Sequence, residues 1–229
     1  MNYKKLLIAS LVFANFLGIS AAYSQELQAK VAKGAAVNKK YASIDKLIEY
    51  NNYDEADTAL REVLNAHPND VDAQTLRIIW MAKQHKLAPA QAELDKMLKK
   101  YPKNPGLHYA QGIVYMKRQT SSDVEYIRDT RELLNNAIKE FVNAVNLDSN
   151  YYQAYNAMGV ATLKLGNKKD AKELFQTALQ INPQYATAYD NLGNIELIDG
   201  NLAEAEKLFQ QSLKYNSHNP TAMYHLGQV

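Results

Sequence analysis

Residues 152–219 are one 34-residue unit written twice. With Tyr152–Tyr185 set over Ala186–Asn219, Tyr155 lies over Tyr189, Gly159 over Gly193 and Gly166 over Gly200. Asn167 lies over Asn201, Ala171 over Ala205, Phe175 over Phe209 and Leu179 over Leu213. A repeat period of roughly 20–50 residues marks an array of small structural units. Each unit in such an array packs only on its neighbours, so no single central core is expected.

The frame carries backwards through the chain. Ala56, Ala90 and Ala137 take the place of Ala171 and Ala205, with gaps of 34, 47, 34 and 34 residues. Four residues on stand Leu60, Leu94, Phe141, Phe175 and Phe209. Pro68, Pro102 and Pro183 close their units. Each unit predicts two helices. Tyr155, Met158, Leu163 and Leu165 give the first in the fourth unit, and Gly166-Asn167 interrupts it. Glycine supplies the left-handed geometry that stops a helix, and asparagine tolerates it. Ala171, Leu174, Phe175, Ala178 and Leu179 then fall at i, i+3, i+4, i+7 and i+8, an amphipathic stripe. Asn182-Pro183 ends it, because the residue before proline is pushed out of the helical region. Gly159 and Ala171 are expected to face each other across the hairpin, where small side chains let the backbones approach.

This pattern resembles the tetratricopeptide repeat (TPR) family. The residues that carry the resemblance are the 34-residue period, the series Tyr189…Leu192-Gly193…Gly200…Ala205…Phe209 and the closing Pro183. It implies an all-α fold, an α-α superhelix built as a solenoid of antiparallel helix pairs. The units are 37–70, 71–104, 105–151, 152–185 and 186–219, with a partial sixth at 220–229. Ile44 and Ile78 stand where later units have Gly112, Gly159, Gly193 and Gly227, so the first two hairpins should pack further apart or bend the array. The third unit holds 13 extra residues at about 119–132. Ser122-Asp123-Val124-Glu125 has the form of a capping box. Val124, Ile127, Leu134, Ile138, Phe141 and Val145 continue one apolar stripe, which predicts a second helix extended by about three turns. A solvated loop is the alternative.

The N-terminus follows the order of a secretory signal peptide. Lys4 and Lys5 precede Leu6–Ile19, apolar except for Ser10 and Asn15, and then come Ser20-Ala21-Ala22-Tyr23-Ser24. Small residues suit cleavage after residue 22 or 24, giving a signal peptide 1–24 at its longest, a lead-in 25–36 and the array 37–229. The apolar run is shorter than the ~20 residues a spanning helix needs, and no later segment is apolar enough to span a bilayer. An exported protein, periplasmic or secreted, is therefore expected. Removing Lys4 and Lys5 from 26 basic against 24 acidic residues leaves 24 against 24, so the mature chain is neutral. A nucleic-acid partner would call for a basic excess, and none is expected.

The chain presents no enzyme constellation. There is no cysteine. His67, His85, His108, His218 and His225 lie in different units at different frame positions, without the i, i+4 spacing of a zinc helix. Asn69-Asp70-Val71-Asp72 lacks the glycine and glutamate of a calcium loop and is better explained as a helix N-cap. No catalytic residue, metal or cofactor is assigned.

The resemblance implies a concave groove for a protein or peptide segment. Tyr41, Tyr109 and Tyr224 take the fifth frame position, which faces that groove in the family. Gln153 takes the second position, Asn156 and Asp190 the fifth, Asn194 the ninth, and Lys117 and Lys164 the thirteenth. Ile113, Met116, Val160, Leu163 and Leu197 would floor the groove. Amide side chains both donate and accept, so Asn156 and Asn194 suit a peptide backbone. The family's clamp on a C-terminal carboxylate is missing: its places hold Tyr41, Asp45, Leu76, Gly106 and Ala110.

Charge alternates along the array. Units 71–104 and 152–185 hold 7 basic against 3 acidic and 4 against 2, while 37–70 and 186–219 hold 4 against 7 and 2 against 5. The expectation is a non-catalytic adaptor in envelope protein assembly. The alternatives are self-association, giving a homo-oligomer through the partial last unit, or the regulatory arm of a longer protein.

Overall fold

A computed structural model describes residues 40–118 and 130–228. The signal-like segment, the lead-in 25–36 and the Ser122–Glu125 capping box lie outside the described residues. The described chain is helical throughout, with no strand. No described helix is long and apolar enough to cross a membrane. The chain divides between Asp148 and Ser149 into two compact units.

The N-terminal unit holds three hairpins: α1 Ala42–Glu49 with α2 Tyr53–Ala66, α3 Val71–Lys83 with α4 Leu87–Lys100, and α5 Pro105–Arg118 with α6 Thr130–Leu147. The C-terminal unit holds α7 Tyr152–Lys164 with α8 Lys168–Ile181, α9 Ala186–Ile198 with α10 Leu202–Tyr215, and a single last helix, α11 Pro220–Leu226. Within each unit, successive first helices also touch: α1, α3 and α5 in one, α7, α9 and α11 in the other.

Local chemistry sets the boundaries. Asp70 caps α3 by accepting from the Ala73 N–H, as expected of an N-cap, and Asn167 and Asn219 cap α8 and α11 in the same way. α2, α4 and α8 all end before the closing prolines of their units. The hairpin turns need one left-handed residue. Gly166 and Gly200 supply it at φ 91° and 79°. At the same frame position the first two units use Asn51 (φ 64°) and His85 (φ 57°), residues that tolerate this region better than most.

The atoms nearest the small residue of each later hairpin belong to an aromatic ring, that of Phe175 for Gly159. A Cβ on Gly159 would lie 2.5 Å from Phe175 Cε1, and one on Gly193 would lie 2.7 Å from Phe209 Cε1. Gly112 meets Phe141 still more closely. All three rings are fully buried, each contributing about 1.5–3 kcal/mol by the area rule. In the first two units the same two frame positions hold Ile44 with Leu60 and Ile78 with Leu94, all four buried. The volume moved from the second helix to the first. The backbones of those two hairpins consequently approach each other over less of their length than those of the later three, which is the wider packing expected from Ile44 and Ile78. α3 in turn lies close to α5 along more of its length than to its own partner α4.

The third unit's second helix is longer than the others. α6 starts at Thr130, one turn ahead of the equivalent point in α8, and spans 18 residues against 14. Leu134, Ile138, Phe141 and Val145 form its buried stripe. The remainder of the expected extension, with Val124 and Ile127, lies outside the described residues.

Within that hairpin His108 joins three segments. Its Nδ1 lies 2.7 Å from Glu140 Oε2 and its Nε2 2.9 Å from the Pro102 carbonyl. A carbonyl and a carboxylate both accept, so both ring nitrogens must donate and the imidazole is held as the cation. The Glu140 hydrogen bond raises the His108 pKa above its ordinary value, against the opposing effect of burial. Burial alone would raise Glu140, but hydrogen bonds from His108 and Asn143 hold it below its ordinary value.

This packing makes two outcomes checkable. His108 has a raised folded-state pKa, so its contribution is complete below about pH 6.5 and fades as pH rises through the folded value. Glu140 has a lowered one, so its contribution is complete above about pH 4.5 and fades on acidification. The melting-temperature gap between wild type and His108→Gln should therefore peak between those values and shrink toward both pH 9 and pH 3. Second, Gly193→Ile should cost about 2–3 kcal/mol by overpacking. Adding Phe209→Leu, which recreates the Ile–Leu pair of the first two units, should recover more than half of that loss in denaturant titrations.

Candidate functional site

Within the C-terminal unit, α9 is placed between α7 and α11 in the layer of first helices. Its core side carries Ala188, Leu192 and Ile195, the latter two clustered with Ala171 and Phe175. At helical spacing the opposite side carries Thr187, Asn191, Asn194 and Ile198, with Asp190 on the flank. The four polar residues are half-buried, and Ile198 is 66% exposed.

Two of these residues reach the neighbouring helices. Asn191 Nδ2 donates to Asn156 Oδ1 on α7 at 2.9 Å. That bond uses one donor of Asn191 and one acceptor lone pair of Asn156, leaving the Asn191 carbonyl and the Asn156 amino group for other partners. Asp190 lies within the field of His225 on α11. Its Oδ1 is shut from solvent and accepts no hydrogen bond. Burial pushes the Asp190 carboxyl up to about 6, with His225 pulling slightly the other way.

The sequence-predicted residues divide between the two units. Asn156 stands on α7, buried at 6% exposure, Asp190 and Asn194 stand half-buried on α9, and Tyr224 stands on α11, 65% exposed, its hydroxyl accepting from Gln228 Nε2 at 3.0 Å. Gln153 and Lys164 stand at opposite ends of α7, Gln153 buried and Lys164 exposed. Tyr41, Tyr109 and Lys117 belong to the N-terminal unit. The Tyr41 hydroxyl donates to Asp70 Oδ2 at 3.0 Å, the Tyr109 ring packs 5.7 Å from Phe141, and Lys117 stands in the last turn of α5, where its charge acts on the buried Lys83. Val160 and Leu163 pack onto the cluster of Ala171, Phe175, Leu192 and Ile195, and Leu197 onto that of Ala205, Phe209 and Ala222. They seal repeat junctions.

Asn191 and His225 escaped the sequence reading. Both sit at the sixth frame position, one residue past the fifth that was followed. The signal was available: a side chain that reaches the preceding first helix must be displaced around α9 from one that faces the open side.

Charge pairing across α8 and α9 also went unforeseen. Lys172 Nζ pairs with Glu196 Oε1 at 2.5 Å, and Lys168 pairs with Asp199. The basic fourth unit thus neutralises part of the acidic fifth within the same molecule.

Asp190 has a folded-state pKa above its unfolded value, so the folded protein holds the proton more tightly. Its ionisation then disfavours the fold above about pH 6. Asp190→Asn should raise the melting temperature at pH 7.5 and have little effect at pH 4.5. A lower melting temperature at pH 7.5 would mean that the carboxylate is satisfied.

A family model described as tetratricopeptide repeat matches residues 153–217. No curated protein matches. Among solved structures, TTC0263, a thermophilic TPR protein of Thermus thermophilus, superposes with a TM-score of 0.67 at 18% identity, over 82% of this chain and 95% of that one. Human IFIT1, solved as a dimer with PPP-AAAA, gives a TM-score of 0.61 at 17% identity, over 81% of this chain and 44% of the human one. At such identities the likeness is one of fold. Residues 153–217 thus match the tetratricopeptide repeat family, and the described helices share the fold of solved tetratricopeptide repeat structures.

Proposed function

We propose that the protein is a non-catalytic scaffold that holds an extended segment of another protein along the open side of α9, and that it does so outside the cytoplasm as an envelope assembly factor. The observation that carries the binding reading is the run of amides on adjoining first helices, with Asn156 and Asn191 already fixed to each other at 2.9 Å. Side chains held in place lose little freedom on binding, so their remaining donors and acceptors are preorganised for a peptide backbone. Such contacts fit many sequences, as an adaptor requires. Export rests on the N-terminal charge and hydropathy order.

A second reading has its own observation. Met223 and Tyr224 on α11 are 51% and 65% exposed, large apolar area on the last helix of the array. Self-association through α11 would cover them.

The readings separate by experiment. Asn156→Ala with Asn194→Ala should reduce recovery of envelope partners by about tenfold, equal to ~1.4 kcal/mol, while the far-UV spectrum is unchanged. Undiminished recovery by the folded double variant would refute the groove. A light-scattering mass that falls on substitution of Met223 and Leu226 would favour self-association. N-terminal mass spectrometry of the purified protein should find Tyr23 or Gln25 as the first residue; an intact Met1 would refute export by cleavage.

A further inference from the structure

The open side of α9 holds a group that the protein itself leaves unsatisfied. Asp190 Oδ1 is enclosed and accepts nothing, while the residue as a whole remains half-exposed. Three other acids of this unit are provided for, Glu196 by Lys172 and Asn201, Asp199 by Lys168, and Glu204 by Lys207, while Glu173 Oε2 on α8 is, like Asp190 Oδ1, enclosed and without a hydrogen bond. A buried charge without a partner is costly, and a carboxylate can be satisfied only by donors, best by a cation. Eight residues on, Ile198 ends the same helix as an apolar side chain 66% exposed.

Building on the groove reading above, we propose that these two residues select the segment that is bound. A lysine or arginine of the partner seats on Asp190, and an apolar side chain of the same segment seats on Ile198. Helical rise places the two sites about 12 Å apart along α9. An extended chain advances ~3.3 Å per residue, so the basic and apolar residues of the ligand stand three or four positions apart. Asn191 and Asn194 lie between the two sites and meet the intervening backbone. The preference is for the opposite charge from a carboxylate-terminated tail, in keeping with the acidic excess of residues 186–219, 5 acidic against 2 basic.

The site also sets a pH dependence. With Asp190 titrating at about 6, a ligand cation is attracted above that pH, and the attraction fades as the carboxyl takes up its proton. His225 on α11 is the titratable neighbour whose field reaches Asp190.

The test uses the full mature chain and capped peptides of alanine and serine. Each carries arginine, citrulline or glutamate at one position and leucine or serine three or four residues later. Fluorescence anisotropy at pH 7.5 should show arginine–leucine peptides held about tenfold tighter than citrulline–leucine peptides, and glutamate peptides weakest. Asp190→Asn should erase the arginine-over-citrulline ratio, Asp190→Glu should retain part of it, and Ile198→Ser should erase only the leucine-over-serine ratio. The arginine ratio should also collapse between pH 7.5 and pH 5. An arginine preference that survives in a folded Asp190→Asn variant overturns the proposal. Equal affinity of the wild type for arginine and citrulline peptides overturns it too, while leaving the groove reading in place. Failure of the wild type to bind any peptide overturns both.

Discussion

Three phenylalanine rings stand where three glycines lack a Cβ, and the later hairpins depend on that exchange of volume. The rings of Phe141, Phe175 and Phe209 are the largest fully buried side chains among the described residues, and each is accommodated only because the opposing first helix presents bare backbone. Close approach of the two helices follows. Where the volume is divided as isoleucine and leucine instead, the pair opens and the first helices draw together. One protein therefore contains two hairpin geometries set by where a single side-chain volume is placed.

This packing also determines which surface is left for recognition. In α9 one side is fully committed: Gly193 to the Phe209 ring, and Leu192 and Ile195 to the core they share with Phe175. Turns and flanks are committed to charge pairs, Lys172 with Glu196 and Lys168 with Asp199. What remains is a narrow strip, and it is populated by amides, a carboxylate and one isoleucine. Function in such a scaffold is a residue of packing: the side that no repeat needs for holding its neighbour.

The frame was readable because helical arrays repeat their punctuation. Pro183, Gly166 and the Ala171/Phe175 pair fixed where helices begin, break and end, and the structure agrees within a residue or so. What the frame could not convey was the direction of side chains near the edge of a face. Tyr109 occupies the same frame position as Asn156 and Asp190, yet its ring packs against Phe141. A large aromatic can bend back to a core that a short amide cannot reach. The contact of Gly159 with the Phe175 ring depends on ring orientation, which spacing does not specify. The left-handed turns at Asn51 and His85 were hidden for a related reason: only glycine announces such a conformation in sequence, whereas asparagine and histidine adopt it under constraint from their surroundings.

The pairing of a bare backbone with a ring has a consequence for how an array of this kind can change. A point substitution at either partner is strained until the other follows, so single steps between the two hairpin geometries are uphill. Copying a whole 34-residue segment carries both partners at once, together with the turn glycine and the closing proline. Length can then vary in whole units with little packing penalty, while the composition of each unit stays locked. Duplication is the soft direction of this fold and substitution at the ring contact the stiff one.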